Sequence, residues 1–270
     1  RHNQLAALGL PAPEGPRSGA TGIGDCIVHL RKNYRSGTRP GITALAEAIN
    51  ANDPERALAV LRNDALTDAM WRVPAGQTGL DPIKEIAVPH YLDAFHAARD
   101  GRGDDALKAL ERFRILCAHR RGKLAVDATN AEVARWLNAA DKSFAARGEA
   151  YVGRPVIVTE NDYVVKLMNG DVGVLVAAEA GPQAVFTGRE PLAPARLPRH
   201  ETVFATTIHK SQGSQYAQVV VVLPEKDSPV CTRELLYTAV TRAEAQVTVL
   251  ATEDAIVRAI GRPVARHTGL

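Results

Sequence analysis

The chain has 270 residues, 46% of them hydrophobic, with 33 Lys plus Arg against 30 Asp plus Glu and a net charge of +3. That length accommodates a full α/β core and a small accessory domain, and so slight a charge requires any nucleic-acid contact to be local. No run approaches the length of a membrane helix and no signal-peptide core opens the chain, while Cys26, Cys117 and Cys231 are too scattered for a disulfide framework or a metal site; together these features point to a cytoplasmic protein with reduced thiols.

Residues 1–24 are rich in Gly, Pro and Ala without periodicity and read as irregular. Because the chain starts at Arg1 and not at Met, it is expected to be part of a longer one. Asp25 to Leu30 alternates and then turns apolar, as a short strand does, and leads into Tyr34 and Arg35. After the Ser36-Gly37 turn, one helix is expected with Ile42, Leu45, Ala46 and Ile49 on one face. A second opens with Asp53 as N-cap and Pro54 at the first helical position. Residues 83–111 read as mostly helical, Phe113 to Ala118 as a buried strand, and Asn130 to Ala140 as a helix with Val133, Trp136, Leu137 and Ala140 inward.

Composition changes near Tyr151. Three short strand patterns, Pro155 to Thr159, Gly173 to Val176 and Ala184 to Phe186, are separated by turn chemistry at Asn161-Asp162, Asn169-Gly170-Asp171 and Gly181-Pro182. This reads as a small β-barrel at residues 150–200, inserted into one α/β domain made of residues 25–149 and 201–270. In the second part, strands near Phe204, Val219 to Leu223 and Val247 to Leu250 alternate with helices around Leu235 to Thr241 and Asp254 to Ile260, the rhythm of a parallel sheet.

The chemistry concentrates in Thr206-Thr207-Ile208-His209-Lys210-Ser211-Gln212-Gly213 and in the Leu236-Tyr237-Thr238-Ala239-Val240-Thr241-Arg242 segment. A polar turn ended by Gly is common in bland loops, but this one follows a strand at what would be the carboxyl end of a parallel sheet, where open α/β folds bind ligands. Gly213 lets the backbone approach a phosphate, and Thr207 and His209 offer donors to a DNA backbone. Arg242 lies four residues after Thr238 on one helix face, opposite the apolar stripe Leu235, Leu236, Ala239 and Val240. A solvated Arg near a helix C-terminus is the ordinary explanation, and a surface Arg beyond a strand is that for Arg35. Two Arg at element ends are also what a phosphoryl-transfer site needs to neutralise charge on a γ-phosphate. No Gly-x-x-x-x-Gly-Lys-Ser/Thr loop occurs: Gly122-Lys123 is followed by Leu124. No apolar strand ends in an Asp-Glu pair for Mg²⁺ either.

These segments resemble the C-terminal part of the RecD family, the alpha subunit of exodeoxyribonuclease V and a superfamily 1 DNA helicase. The resemblance runs through Leu30 to Arg35, Gly41-Ile42, Ala48-Ile49-Asn50, Arg114 to Ala118, Gly153 to Val156, Asn161-Asp162, Asn169 to Gly173, Thr207 to Ser214 and Thr232 to Ala243. It implies a RecA-like parallel-sheet domain 2A with an inserted SH3-like barrel 2B. Arg35 then falls in motif IV and Arg242 in motif VI, both directed at the ATP γ-phosphate. Tyr34, Gln212, Gly213 and Gln215 are implied around the nucleotide, and Thr207, His209, Lys210 and Ser211 of motif V, with Asn161, at the DNA. Gln215 stands where the family usually has Glu near the sugar, and Ser36 where an aromatic commonly follows the Arg. The resemblance further implies ATP with Mg²⁺, the metal ligands lying in sequence upstream of Arg1, single-stranded DNA as track, and RecB- and RecC-like partner subunits. A non-catalytic DNA-binding or scaffolding subunit on the same fold is the alternative expectation.

Overall fold

The computed structural model describes residues 39–264, so the strand expected at Asp25 to Leu30, together with Tyr34, Arg35 and Ser36, lies outside the described residues. Helix α1 (Pro40–Asn50) buries Ile42, Leu45, Ala46 and Ile49. Its N-terminus is capped from a distance: the Asp68 carboxylate accepts from the Gly41 and Ile42 N–H groups at 3.0 and 2.9 Å. Helix α2 (Pro54–Leu61) follows, with Asp53 accepting from the Arg56 N–H at 2.9 Å. Strand β1 (Ala69–Arg72) was not expected from the sequence; at four residues it is too short to show a period. The helical stretch that follows is two helices, α3 (Lys84–Arg99) and α4 (Gly103–Arg112).

Strand β2 (Phe113–Cys117) is buried along its whole length, and helix α5 (Val126–Ala140) follows it. The helix begins four residues before the expected start at Asn130. That side chain is not an N-cap: its Oδ1 accepts from the Ala205 N–H at 2.8 Å and its Nδ2 donates to the Thr202 carbonyl at 3.1 Å, so the helix runs through it. Val133, Trp136 and Leu137 are buried as expected, but Ala140 is exposed, because Leu137 is the last residue of this helix with core beneath it.

Four further strands form an antiparallel sheet, β3 (Pro155–Val158), β4 (Val172–Val176), β5 (Gln183–Phe186) and β6 (His200–Thr202), in the order β5-β4-β3-β6. Val156, Val158, Leu167, Leu175, Ala184 and Phe186 make a small core on one face. Val174 and Val176 of β4 instead join the core shared with α3 and α4. Gly153 marks the entry to this sheet: it has φ +82, and an added Cβ would lie 2.6 Å from the Phe95 ring.

The chain then returns through β7 (Ala205–Thr207), β8 (Tyr216–Val222), helix α6 (Arg233–Val240), β9 (Ala243–Leu250) and helix α7 (Glu253–Gly261). Strands β1-β9-β8-β2-β7 form one sheet in that order, every pair parallel. Alternation along the strands supplies two cores. Val219, Val221, Val247 and Val249 face α1, α2, α6 and α7, while Val220, Val222, Ile115 and Cys117 face α3, α4 and α5. Such a parallel sheet, covered on both faces, gives the near-continuous apolar runs seen in β2 and β8. Among the described residues no helix is long and apolar enough to cross a membrane.

Candidate nucleic-acid and nucleotide site

Edge strand β7 pairs with β2 and ends at Thr207, which stands opposite Cys117; Cys117 in turn stands opposite Val222, so Thr207 is at the carboxyl end of the sheet. The chain does not stay there. A single turn of 3-10 helix (His209–Ser211) follows, and by Tyr216 the chain is at the amino end of β8, beside Ala243 at the start of β9. Residues 208–215 therefore run the length of the sheet, about 20 Å for a seven-residue strand rising about 3.3 Å per residue. The sequence reading put Lys210 to Gly213 after a strand at the carboxyl end; the turn begins there and continues through the Gln212 N–H to His209 carbonyl bond at 3.2 Å and the Ser214 N–H to Ser211 carbonyl bond at 3.0 Å before the chain enters β8.

At the carboxyl end, the Ile208 N–H donates to the Cys117 carbonyl at 3.0 Å, and the Thr207 hydroxyl accepts from the Lys210 N–H at 3.3 Å. The Thr207 hydroxyl proton has no acceptor among the described residues, and His209 and Lys210 are exposed beside it. Ser211 is different. It is buried, and its hydroxyl donates to the Ile208 carbonyl at 2.7 Å, so its side chain holds the turn. The neighbouring Cys117 thiol lies 3.6 Å from the Thr129 hydroxyl, and burial pushes its pKa up to about 12, so it remains a protonated core thiol. Cys117 and Cys231 are both free and buried.

Between this turn and β8, Gln212, Gly213, Ser214 and Gln215 are exposed. Gly213 has φ +90, a backbone conformation that L residues seldom adopt, and no atom within 4 Å of where a Cβ would sit. Arg242 reaches this stretch. It is the second residue beyond α6, not within the helix as expected, and its Nε donates to the Thr238 carbonyl at 3.2 Å in the last turn of that helix. Its Nη1 donates to the Ser214 carbonyl at 3.1 Å, and its own carbonyl accepts from the Tyr216 N–H at 2.9 Å. The helix-terminal role weighed for this Arg is real, yet it uses one of five donors, and Arg242 has no carboxylate partner among the described residues. Its other guanidinium N–H groups find no acceptor among the described residues, so they are available to water or to an anion. The exposed amides of Gly213 and Gln215, on either side of Ser214, likewise find no acceptor among the described residues. The residues present thus fit a nucleotide phosphate. Among the described residues no three His, Cys, Asp or Glu side chains come together as a metal site requires.

Asn161 sits apart from this loop, in the β3–β4 connection of the antiparallel sheet, where its side-chain oxygen accepts from the Asn169 N–H at 2.8 Å. Three residues with tertiary roles at the site escaped the sequence reading. Arg114, in the middle of β2, is buried, donates to the Val203 and Leu110 carbonyls and lies 5.2 Å from the Tyr216 ring. A charge inside an apolar strand was its visible signal. Arg120, beyond β2, and Glu201, in β6, pair at 2.5 Å, and nothing local in the sequence marks either.

The described residues form an α/β fold in which a parallel sheet is covered by helices on both faces, with Thr207 at one end of a connecting loop and Arg242 against Ser214 near the other. A family model described as the UvrD-like helicase C-terminal domain matches residues 202–250, the segment that carries the loop and Arg242. The chain is a homologue of RecD, corresponding to the C-terminal part of that superfamily 1 helicase subunit. It is 43% identical over 244 residues to the RecBCD enzyme subunit RecD of Mycolicibacterium smegmatis, covering 90% of this chain and 43% of that protein. It is 36% identical over 132 residues to the ATP-dependent RecD2 DNA helicase of Deinococcus radiodurans, covering 48% of this chain and 18% of that protein. A solved Pif1 helicase aligns with TM-score 0.40 and 16% identity over 83% of this chain and 50% of that one. The chain spans about two fifths of the length of the curated RecD relatives.

Proposed function

We propose that this chain is the C-terminal motor half of an ATP-dependent, 5′-to-3′ DNA helicase of RecD type, working with RecB- and RecC-like subunits on single-stranded DNA. One observation carries the reading: a single loop runs from Thr207, at the carboxyl end of the sheet, to Ser214, whose carbonyl accepts from Arg242. Movement of the guanidinium on phosphate binding or release is transmitted along this stretch to the DNA contact. Arg242, with Arg35, neutralises charge that develops on the γ-phosphate in transfer, and the free amides of Gly213 and Gln215 receive nucleotide oxygens. Gln215 offers a sugar hydroxyl an acceptor but no charge. ATP binds with Mg²⁺, whose ligands and phosphate-binding Lys are supplied by the N-terminal half. Residues 150–200 are the 2B insertion, an SH3-like barrel that brings Asn161 to the DNA, and its last strand, β6, runs on to Thr202. The rest of the chain from residue 25 onward is domain 2A. A purely scaffolding role is disfavoured by the similarity of the chain to RecD subunits and to an ATP-dependent RecD2 helicase.

The test is at the DNA end. In the full native polypeptide, Thr207→Val keeps the β-branched shape and removes the hydroxyl. Single-strand affinity falls about equally for different sequences, with little change in salt dependence because no charge is lost. Full affinity in the Thr207→Val/His209→Ala double variant would move the track elsewhere.

A further inference from the structure

Cys117 and Thr207 are register partners at the carboxyl ends of adjacent strands, and each is followed three residues later by a cation, Arg120 and Lys210. The two side chains converge on one acid. Glu201 Oε1 lies 2.5 Å from Arg120 Nη2, and its Oε2 lies 3.6 Å from Lys210 Nζ. The acid belongs to the other sheet: Glu201 is in β6, paired with Ile157 of β3. The loop carrying Arg120 is tied down, since the Val126 and Asp127 N–H groups donate to the His119 and Arg120 carbonyls, both at 3.1 Å. It is basic throughout, running His119-Arg120-Arg121-Gly122-Lys123, and Arg121 is exposed with no ion pair among the described residues.

Two cations against one carboxylate leave a net positive charge, and all three side chains are 37% to 54% exposed, so the bridge is solvated and weak in itself. A phosphodiester carries the same charge as a carboxylate and binds Arg and Lys by the same geometry. We infer that Arg120 and Lys210 form a phosphate site for single-stranded DNA, adjoining Thr207, in which Glu201 occupies the place that a DNA phosphate takes over when the strand binds. Glu201 is therefore an internal competitor that lowers affinity for DNA. This inference rests on the reading of Thr207 as part of the DNA track.

Glu201→Gln, Arg120→Ala and the double variant separate the two, measured in the full native polypeptide by fluorescence anisotropy with oligo-dT and mixed-sequence single strands over a salt series. Glu201→Gln tightens binding about threefold at low salt, the scale of one exposed ion pair. Arg120→Ala weakens it for every sequence and lowers the slope of log affinity against log salt by about 0.7, one phosphate's worth. In the double variant the gain from Glu201→Gln largely disappears. Unchanged or weaker binding by Glu201→Gln in a protein of normal melting temperature, or an unchanged salt slope in Arg120→Ala, overturns the inference. Should Glu201→Gln fail to fold, the Arg120→Ala slope decides alone. If Thr207→Val weakens binding while these variants do nothing, only the phosphate site fails; if none has an effect, the track reading fails with it.

Discussion

Replacing Arg242 by Ala removes two things at once, and the structure separates their sizes. The first is structural: two charge-assisted hydrogen bonds, to the Thr238 and Ser214 carbonyls at 3.2 and 3.1 Å, made by a partly exposed side chain. Water replaces both partners, so their loss costs about 1 kcal/mol together. For a folded unit of this size that lowers Tm by about 2–4 °C. The second is the charge offered to the transferring phosphate, worth about 10³ to 10⁵ in rate for an arginine finger, or about 4–7 kcal/mol at 1.36 kcal/mol per tenfold. The chemical effect exceeds the structural one several-fold, so the full native polypeptide carrying Arg242→Ala stays folded, binds nucleotide nearly as before and turns over ATP at least about a thousandfold more slowly. Sharing of charge with Arg35 is tested by the double variant. Arg242→Lys recovers little, because an ammonium cannot hold the Thr238 and Ser214 carbonyls and face a phosphate together. DNA-stimulated phosphate release, fluorescent-nucleotide titration and thermal melting on one preparation measure the three quantities. Turnover within about threefold of wild type in a variant of normal nucleotide affinity refutes the role and leaves Arg242 as a helix-terminal residue only.

At Gly213, Ala meets no neighbour, so only the φ of +90 opposes it; Gly213→Ala lowers stability by about 1 kcal/mol, read by denaturant titration. Gly153→Ala adds a clash 2.6 Å from the Phe95 ring to a similar φ of +82 and is the more damaging of the two by the same titration. Asp141 accepts from the Ser143 hydroxyl and N–H and pairs with His96, which hold its carboxyl down at about 2. Its folded pKa is below the unfolded one, so its contribution is complete above about pH 4 and is lost as pH falls towards 2. Asp141→Asn accordingly flattens the stability profile over that window and leaves its shape at neutral pH unchanged, as followed by melting against pH. The 270-residue chain alone, containing no phosphate-binding Gly-Lys-Ser/Thr loop, neither hydrolyses ATP nor unwinds DNA; turnover by a preparation free of contaminating ATPases contradicts the division of labour.

Much of this architecture was legible along the chain because its determinants are local. The Asp53-Pro54 start of α2, the Leu235, Leu236, Ala239 and Val240 stripe of α6, and the apolar run of β8 each follow from caps and periodicity within a few residues. The family resemblance, likewise, rests on short ordered motifs that need no fold to be seen. What the sequence could not supply is where those motifs meet. Strands β1 and β6 are too short to carry a period, and they exist because β9 and β3 offer them an edge. The helix expected from Asn130 begins at Val126, and contact with Ala205 and Thr202 gives the Asn130 side chain its use. The family resemblance put Ser211 at the DNA, and the turn buries its side chain. The route of residues 208–215 from one end of the sheet to the other depends on the register of β2 with both β7 and β8. The register of β2 with β7, strands nearly ninety residues apart, brings Glu201 to Arg120, and that of β8 with β9 brings Ser214 to Arg242. Local chemistry chose the residues; long-range strand pairing chose their neighbours.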